Sequence, residues 1–208
     1  LLRGPKAYHR RAGSAPAQTR STMSHPVHLH VYDLSNGIAR GMSATFLGIQ
    51  IDIVPHTGVV AYGREWFFSG GIQNCAAAEF SSAYHLPVHE TVALGETEVP
   101  FELFEQFLSE RASDFTAETY NLMKWNCNNF SEEVANFLVG KSIPESIRTL
   151  PERVMATPMG LAFSQMFEGV ANGMGGGGDP LRMQPQQPSP QMTTTPNATG
   201  ATGAVPMD

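Results

Sequence analysis

One stretch of this chain constrains its fold more than any other. In residues 120–138 the polar cluster Asn-Cys-Asn-Asn directly precedes an apolar stripe. The stripe has spacings of three and four residues, which predict one face of a helix. Its members are Phe130, Val134, Phe137 and Leu138. Cys127 therefore falls at or near the N-terminus of the predicted helix.

A cysteine at a helix N-terminus is a candidate nucleophile. Backbone N–H groups and the positive end of the helix dipole favour a thiolate there, and they can lower a cysteine pKa from about 8.5 to roughly 3.5–7.5. The alternative interpretation is a buried structural cysteine, because free cysteine is among the most buried residue types. The stretch alone leaves both interpretations of Cys127 open.

Length and composition indicate one domain of ordinary size with tails. The chain has 208 residues, of which 41% are hydrophobic, enough for a substantial core. It contains no run of eighteen apolar residues, so we expect no membrane span. Two cysteines do not suggest a secreted multi-disulfide framework, and a reducing compartment, cytoplasm or nucleus, fits better.

Charge is distributed unevenly along the chain. Residues 1–22 carry five of the thirteen basic residues and no acidic one, which leaves eight basic and nineteen acidic residues for the rest. The remainder is therefore acidic, and this argues against nucleic acid as a partner. The basic start could be a transit peptide, but it has no clear apolar face. An unstructured extension over 1–24 is the favoured interpretation.

A histidine that could serve Cys127 as a base lies in the first half of the chain. Residues 51–63 and 64–68 predict a hairpin turning near Gly63 and Arg64, and His56 opens its first strand directly after a proline. A lone strand histidine is more often structural, so His56 matters only if a nucleophile meets it in space.

The other strand histidines carry less weight. Residues 27–32 alternate apolar and polar side chains, which predicts a strand with His28 and His30 on one face. Two histidines at this spacing could bind a metal, but no third ligand follows at a suitable spacing. We expect them to be exposed strand histidines, and we expect no metal or cofactor.

The remaining segments predict a mixture of strands and helices. Residues 37–48 and 101–108 show helical patterns, and 87–94 is β-prone. Residues 69–75 form a glycine-containing loop, whose Cys75 is the weaker candidate nucleophile because no amphipathic stripe follows it. Helical segments are also expected at 115–124 and 152–170. The Gly-, Pro-, Gln- and Thr-rich tail, 171–208, is expected to be disordered.

Four motifs together resemble the PPPDE family, the permuted papain-fold peptidases that include the desumoylating isopeptidases. They are VYDLSNG at 31–37, PHTGVV at 55–60, WFFSGGI at 66–72, and YNL at 120–122 with NCNNFS at 126–131. The resemblance covers 25–170 and neither tail. It implies a compact α+β fold, a small antiparallel sheet packed with helices, and a Cys-His dyad formed by Cys127 and His56.

The resemblance also implies a reaction and a substrate class. His56 would hold Cys127 as a thiolate, the thiolate would attack the carbonyl after a C-terminal Gly-Gly tail, and the imidazolium would protonate the departing lysine amine. SUMO conjugates, or conjugates of ubiquitin, are the expected substrates, and a homodimer is implied. A thioesterase using the same dyad and a non-catalytic adaptor remain alternatives.

Two further groups of residues have alternative interpretations. The favoured interpretation of Asn126, Asn128 and Asn129 is that they are turn and capping residues. A catalytic role is the alternative. The aromatic residues near the expected groove could contact a substrate, although core packing is the favoured interpretation. These aromatic residues are Trp66, Phe67, Phe68 and Trp125.

Overall fold

A five-stranded antiparallel sheet lies at the centre of the computed structural model, which describes residues 23–162 and Leu181. The strands are β1 (His25–Asp33), β2 (Pro55–Ala61), β3 (Arg64–Phe68), β4 (Ile72–Ala76) and β5 (Val88–Thr97). The helices are α1 (Ile38–Leu47), α2 (Phe80–Tyr84), α3 (Phe101–Arg111), α4 (Cys127–Val139), α5 (Glu145–Arg148) and α6 (Leu150–Met155). This arrangement confirms the expected α+β class with a small antiparallel sheet.

The sheet order is β4-β3-β2-β1-β5, so the strand that carries His56 is central. The predicted hairpin is confirmed: Ala61 pairs with Arg64, and Tyr62 and Gly63 form the two-residue turn. Both turn residues have positive φ, 53° and 74°, as a turn that matches the twist of two antiparallel strands requires. Tyr62 tolerates this conformation with its hydroxyl donating to Val99 O at 2.7 Å.

The two faces of the sheet pack against different partners because successive side chains of a strand point to opposite sides. On one face, Val59 and Phe68 join a large cluster that includes Phe130 and Val134 of α4. On the other face, Phe67 joins a smaller cluster with α2. This second cluster, called here the ring cluster, consists of Tyr32, Phe67, Cys75, Phe80, Leu86 and Leu181.

Three local predictions differ from the structure. Residues 69–75 were expected to form a loop, but β4 occupies 72–76 and pairs with β3 along its whole length. The predicted helix at 115–124 is instead a series of turns with isolated bridges at Thr116 and Asn121. The predicted helix at 152–170 breaks at residues 156–157, and its part beyond 162 lies outside the described residues.

The favoured interpretation of the aromatic residues is confirmed for the hairpin. Trp66, Phe67 and Phe68 are at most 6% exposed, and Trp125 is partly buried against the large cluster. The extension and the tail predicted at 1–24 and 171–208 lie outside the described residues, except for Met23, Ser24 and Leu181. Within the described part of the chain, no helix is long and apolar enough to cross a membrane.

Candidate active site

Cys127 is the first residue of α4, as the sequence predicts. Asn126 is the N-cap in an extended conformation, and its side-chain oxygen accepts a hydrogen bond from the Asn128 backbone N–H at 2.8 Å. Asn129 completes a capping box, because its Oδ1 accepts from the Asn126 N–H at 2.9 Å. The cap holds Cys127 where the helix dipole favours a negative sulfur.

The capping interpretation holds for two of the three asparagines only. Asn126 and Asn129 cap the helix, whereas the side chain of Asn128 is directed at strand β2. Its Oδ1 accepts from the Thr57 hydroxyl at 2.9 Å, and its Nδ2 lies 3.4 Å from Pro55 O. The residues on both sides of His56 are thus bonded to the residue that follows Cys127.

His56 itself is enclosed by aromatic rings of the ring cluster. Its imidazole stacks on Phe80 with centroids 5.2 Å apart and an interplanar angle of 11°, and it meets Phe67 edge-on at 6.1 Å. Tyr32 lies 6.0 Å away on the neighbouring strand, opposite His56 in register. His56 is only 1% exposed, so the surrounding rings fix the orientation of its imidazole by packing.

Burial determines the protonation state of His56. Loss of hydration lowers its pKa to about 3, because the charged imidazolium is poorly solvated among rings. Its Nε2 is buried and has no hydrogen-bond partner among the described residues. The ring is therefore neutral near pH 7, the form in which it can accept a proton, and among these residues no side chain fixes its tautomer.

An apolar groove of about 460 Å³ opens beside Cys127. It is lined by residues of α1, by residues of the segment 51–55, by the start of α4, and by residues of α6 with Met159. The rim of the groove is exposed and hydrophobic: Ile38, Met42 and Phe46 lie one helical turn apart and are 63%, 48% and 56% exposed. Apolar side chains left in water beside a candidate nucleophile suggest a binding surface.

The second cysteine is poorly suited to nucleophilic chemistry. Cys75 and Cys127 are both 2% exposed, so exposure does not distinguish them. Burial in the ring cluster, with the nearby Glu65 and Glu79 carboxylates, raises the pKa of Cys75 to about 12. A thiol with such a pKa stays protonated near pH 7. This result supports the sequence-based preference for Cys127.

Both strand histidines, His28 and His30, are partly buried rather than exposed as expected. Nδ1 of His30 lies 2.9 Å from a carboxylate oxygen of Glu65. Both oxygens of that buried carboxylate also accept from the Tyr32 hydroxyl at 2.9 Å. Among residues 23–162 and 181, no cluster of three or more His, Cys, Asp or Glu side chains could hold a metal ion.

Several residues of this site are not apparent in the sequence. Thr57 and Ser131 are fully buried polar residues that meet at 2.8 Å between β2 and α4. Phe80 belongs to a five-residue helix without an amphipathic stripe. The only sequence signal for Thr57 was its place between His56 and Gly58 in a family motif.

Comparisons with known proteins agree with this architecture. A family model described as "PPPDE putative peptidase domain" matches residues 25–168. Desumoylating isopeptidase 1 of Homo sapiens is 42% identical over 148 residues, 70% of this chain and 86% of the relative. The Xenopus laevis protein of the same name is 40% identical with the same coverage. DeSI-like protein sdu1 of Schizosaccharomyces pombe is 27% identical over 64% of this chain and 67% of its own. This chain therefore belongs to the PPPDE family of cysteine peptidases.

Proposed function

We propose that this protein is a cysteine isopeptidase that removes SUMO, or a similar ubiquitin-like modifier, from lysines of other proteins. Its nucleophile is Cys127 and its base is His56. The observation that carries the proposal is the attachment of both neighbours of His56 to the first turn of α4, the turn that begins with Cys127. The names of the relatives, desumoylating isopeptidases, support the substrate class.

The reaction follows from the chemistry that a thiol can perform with a neutral imidazole as its base. His56 accepts the thiol proton as the sulfur attacks the carbonyl carbon of the terminal glycine. Amide groups of the first turn of α4 favour the negative oxygen that develops. The imidazolium then donates its proton to the departing lysine amine, which leaves the modifier joined to Cys127 as a thioester. Water, deprotonated by His56, hydrolyses that thioester.

The low pKa of His56 favours one form of this mechanism. A ring whose charged form is disfavoured by burial does not support a permanent thiolate–imidazolium pair. Transfer of the thiol proton to His56 is therefore coupled to the attack of the sulfur on the substrate. The imidazolium exists only while the negative oxygen of the intermediate or a negative sulfur offsets its charge. The ring cluster keeps His56 in its basic form before the substrate arrives.

A SUMO probe with an electrophile at its C-terminus tests the nucleophile. The wild-type protein should be labelled, Cys127→Ala should not, and Cys75→Ala should be labelled like the wild type. Loss of labelling in a folded Cys75→Ala variant, or unchanged labelling in Cys127→Ala, contradicts the assignment. A ubiquitin probe used in parallel decides between the two modifiers, and a wild-type protein that neither probe labels is either an adaptor or a thioesterase.

The apolar groove favours a second candidate function, hydrolysis of S-acyl thioesters on proteins. The groove borders Cys127 and offers hydrophobic walls to an acyl chain, which a Gly-Gly tail does not need. A fluorogenic long-chain acyl thioester compared with a SUMO–lysine conjugate separates the two activities. In Phe46→Ser, removal of an exposed wall residue should raise KM for the acyl substrate and leave the SUMO conjugate little affected.

Homodimer formation is part of the same proposal. The exposed apolar stripe of α1 that borders the groove would lose water contact in a dimer. Light scattering on the purified chain measures the molar mass directly. A monomer at micromolar concentration contradicts the dimer and leaves the proposed chemistry unaffected.

A further inference from the structure

Asn128 is a buried polar residue whose side chain the helix cap does not use. Only 8% of the residue is exposed, and its backbone N–H is already bonded to the Asn126 side chain. The side-chain amide instead spans the gap to β2, accepting from Thr57 and donating to Pro55 O. An amide in this position satisfies one donor and one acceptor on the strand at once.

The contacts around Thr57 extend this connection. Thr57 is 0% exposed, and its Oγ1 lies 2.8 Å from the hydroxyl of Ser131, one turn further along α4. A hydroxyl has one proton, and an amide oxygen can only accept, so Thr57 gives its proton to Asn128. Buried polar groups are costly when any partner is missing, so this network permits one placement of β2 against α4.

We infer that Asn128 is a positioning residue that sets the distance between Cys127 and His56. The inference rests on the proposed function, in which these two residues are nucleophile and base. Asn128 follows Cys127 in the chain, and its side chain holds the two residues that flank His56. Its Oδ1 also lies 3.8 Å from the sulfur of Cys127, so the partial negative charge of this amide oxygen contributes to the electrostatic potential at the thiol.

Loss of the Asn128 contacts should affect the chemical step rather than binding. Reacting groups displaced by about 1 Å can lose about a hundredfold in rate. Asn128→Ala and Thr57→Val each remove the bond between the hydroxyl and the amide, one from each side. Both should lower kcat on a SUMO–lysine conjugate by roughly 10- to 100-fold with little change in KM.

Two matched variants separate positioning from general stability. Thr57→Ser keeps the hydroxyl and should retain most of the activity that Thr57→Val loses. Ser131→Ala removes only the contact between the Thr57 and Ser131 hydroxyls and keeps both contacts of the Asn128 side chain, so its kcat should fall less than that of Thr57→Val. Melting temperatures measured for all variants identify any that lose activity by unfolding.

The Asn128→Asp variant gives a readout that a purely structural role would not change. The aspartate has the shape of the amide and still accepts from Thr57, but it places a negative charge beside the sulfur. A negative charge disfavours the thiolate, so the pKa of Cys127 should rise. Iodoacetamide alkylation of Cys127, followed by mass spectrometry across pH, should show a profile displaced upward by one unit or more relative to the wild type.

The outcomes separate this inference from the proposed function. If Cys127→Ala retains isopeptidase activity, the proposed function fails. If the wild type is active through Cys127, but folded Asn128→Ala and Thr57→Val keep the wild-type kcat, only the positioning role is overturned. An unchanged alkylation profile in Asn128→Asp likewise overturns the electrostatic effect of Oδ1 on the sulfur.

Discussion

The imidazole of His56 stacks on the ring of Phe80, with centroids 5.2 Å apart and planes 11° from parallel. Phe80 lies on α2, on the opposite side of the sheet from the core contacts of α4. The candidate base is thus held from one side of the sheet and tied to the nucleophile's helix from the other. A substitution at Phe80 should change the surroundings of the His56 ring, whereas a substitution at Asn128 should change the placement of β2 against α4.

The depressed pKa of His56 should appear in the pH dependence of stability. The unfolded chain binds a proton at His56 near pH 6.5, whereas the folded chain resists it down to about pH 3. The protonation of His56 therefore leaves the free energy of unfolding unchanged above about pH 6.5. Between about pH 6.5 and pH 3 it lowers that free energy by roughly 1.4 kcal/mol for each unit by which the pH falls. Urea denaturation from pH 7 to 4 measures this slope.

The matched variant for this measurement is His56→Phe, which keeps an aromatic ring in the pocket and removes the titration. Its free energy of unfolding should depend less steeply on pH than that of the wild type. Equal slopes in the two proteins would contradict a neutral, buried His56. Tyr32 is the titratable residue among the three rings that pack on His56, and burial raises its pKa, so it stays neutral throughout this range.

Removal of the stacked ring should move the pKa of His56 in the opposite direction. In Phe80→Ala, water enters the pocket, the imidazolium becomes better solvated, and the pKa rises from about 3 toward its ordinary value near 6.5. NMR titration of the assigned His56 ring protons measures the shift. Phe107→Ala is the control, because Phe107 stacks on Phe137 in the large cluster and should leave the His56 titration unchanged.

The elements with strong local signals were predictable from the sequence. The start of α4 at Cys127 follows from the polar cap and the apolar stripe, and the β2–β3 hairpin follows from β-prone runs around Gly63. Strand β4 was missed because its identity depends on pairing with β3, not on its own glycine-rich start. The helix predicted at 115–124 was wrong for a partly related reason, since a bridge from Thr116 to the distant Gly71 and a local bridge between Asn121 and Trp125 take its place.

The site shows the same division between local and long-range information. Cys127 and its cap are encoded within four residues, so sequence reasoning could place them. The surroundings of His56 come from α2, which is 24 residues further along the chain at Phe80, and no periodicity links the two. The contact between Thr57 and Asn128 joins residues 71 positions apart, and only the packing of α4 against β2 brings them together.

Gly58 should tolerate no side chain, because a Cβ there would lie 2.8 Å from Cγ of Glu65. Glu65 is fully buried and is held by the Tyr32 hydroxyl, so it cannot move away without losing its hydrogen bonds. We expect Gly58→Ala to lower the free energy of unfolding by about 1–3 kcal/mol, the usual cost of overpacking. Chemical denaturation measures the change.

Gly41 provides the contrasting substitution within the same protein. It lies inside α1, and a Cβ at this position would meet nothing within 4 Å. Gly41→Ala should therefore raise stability by roughly 0.5–1 kcal/mol through its better helix propensity. Opposite signs at the two glycines are expected, and a neutral Gly58→Ala would show that Glu65 can relocate at no cost.

Leu181 should contribute to stability although it lies far along the chain from its neighbours. It is 2% exposed and packs in the ring cluster with the rings that enclose His56. Leu181→Ala should cost about 2–5 kcal/mol, the range for removing a buried leucine. Leu161→Ala is the control, because Leu161 is 48% exposed and should change stability little. A loosened ring cluster should also raise the pKa of His56, as in Phe80→Ala but less. If urea midpoints and the His56 titration match the wild type, Leu181 is not part of the cluster in solution.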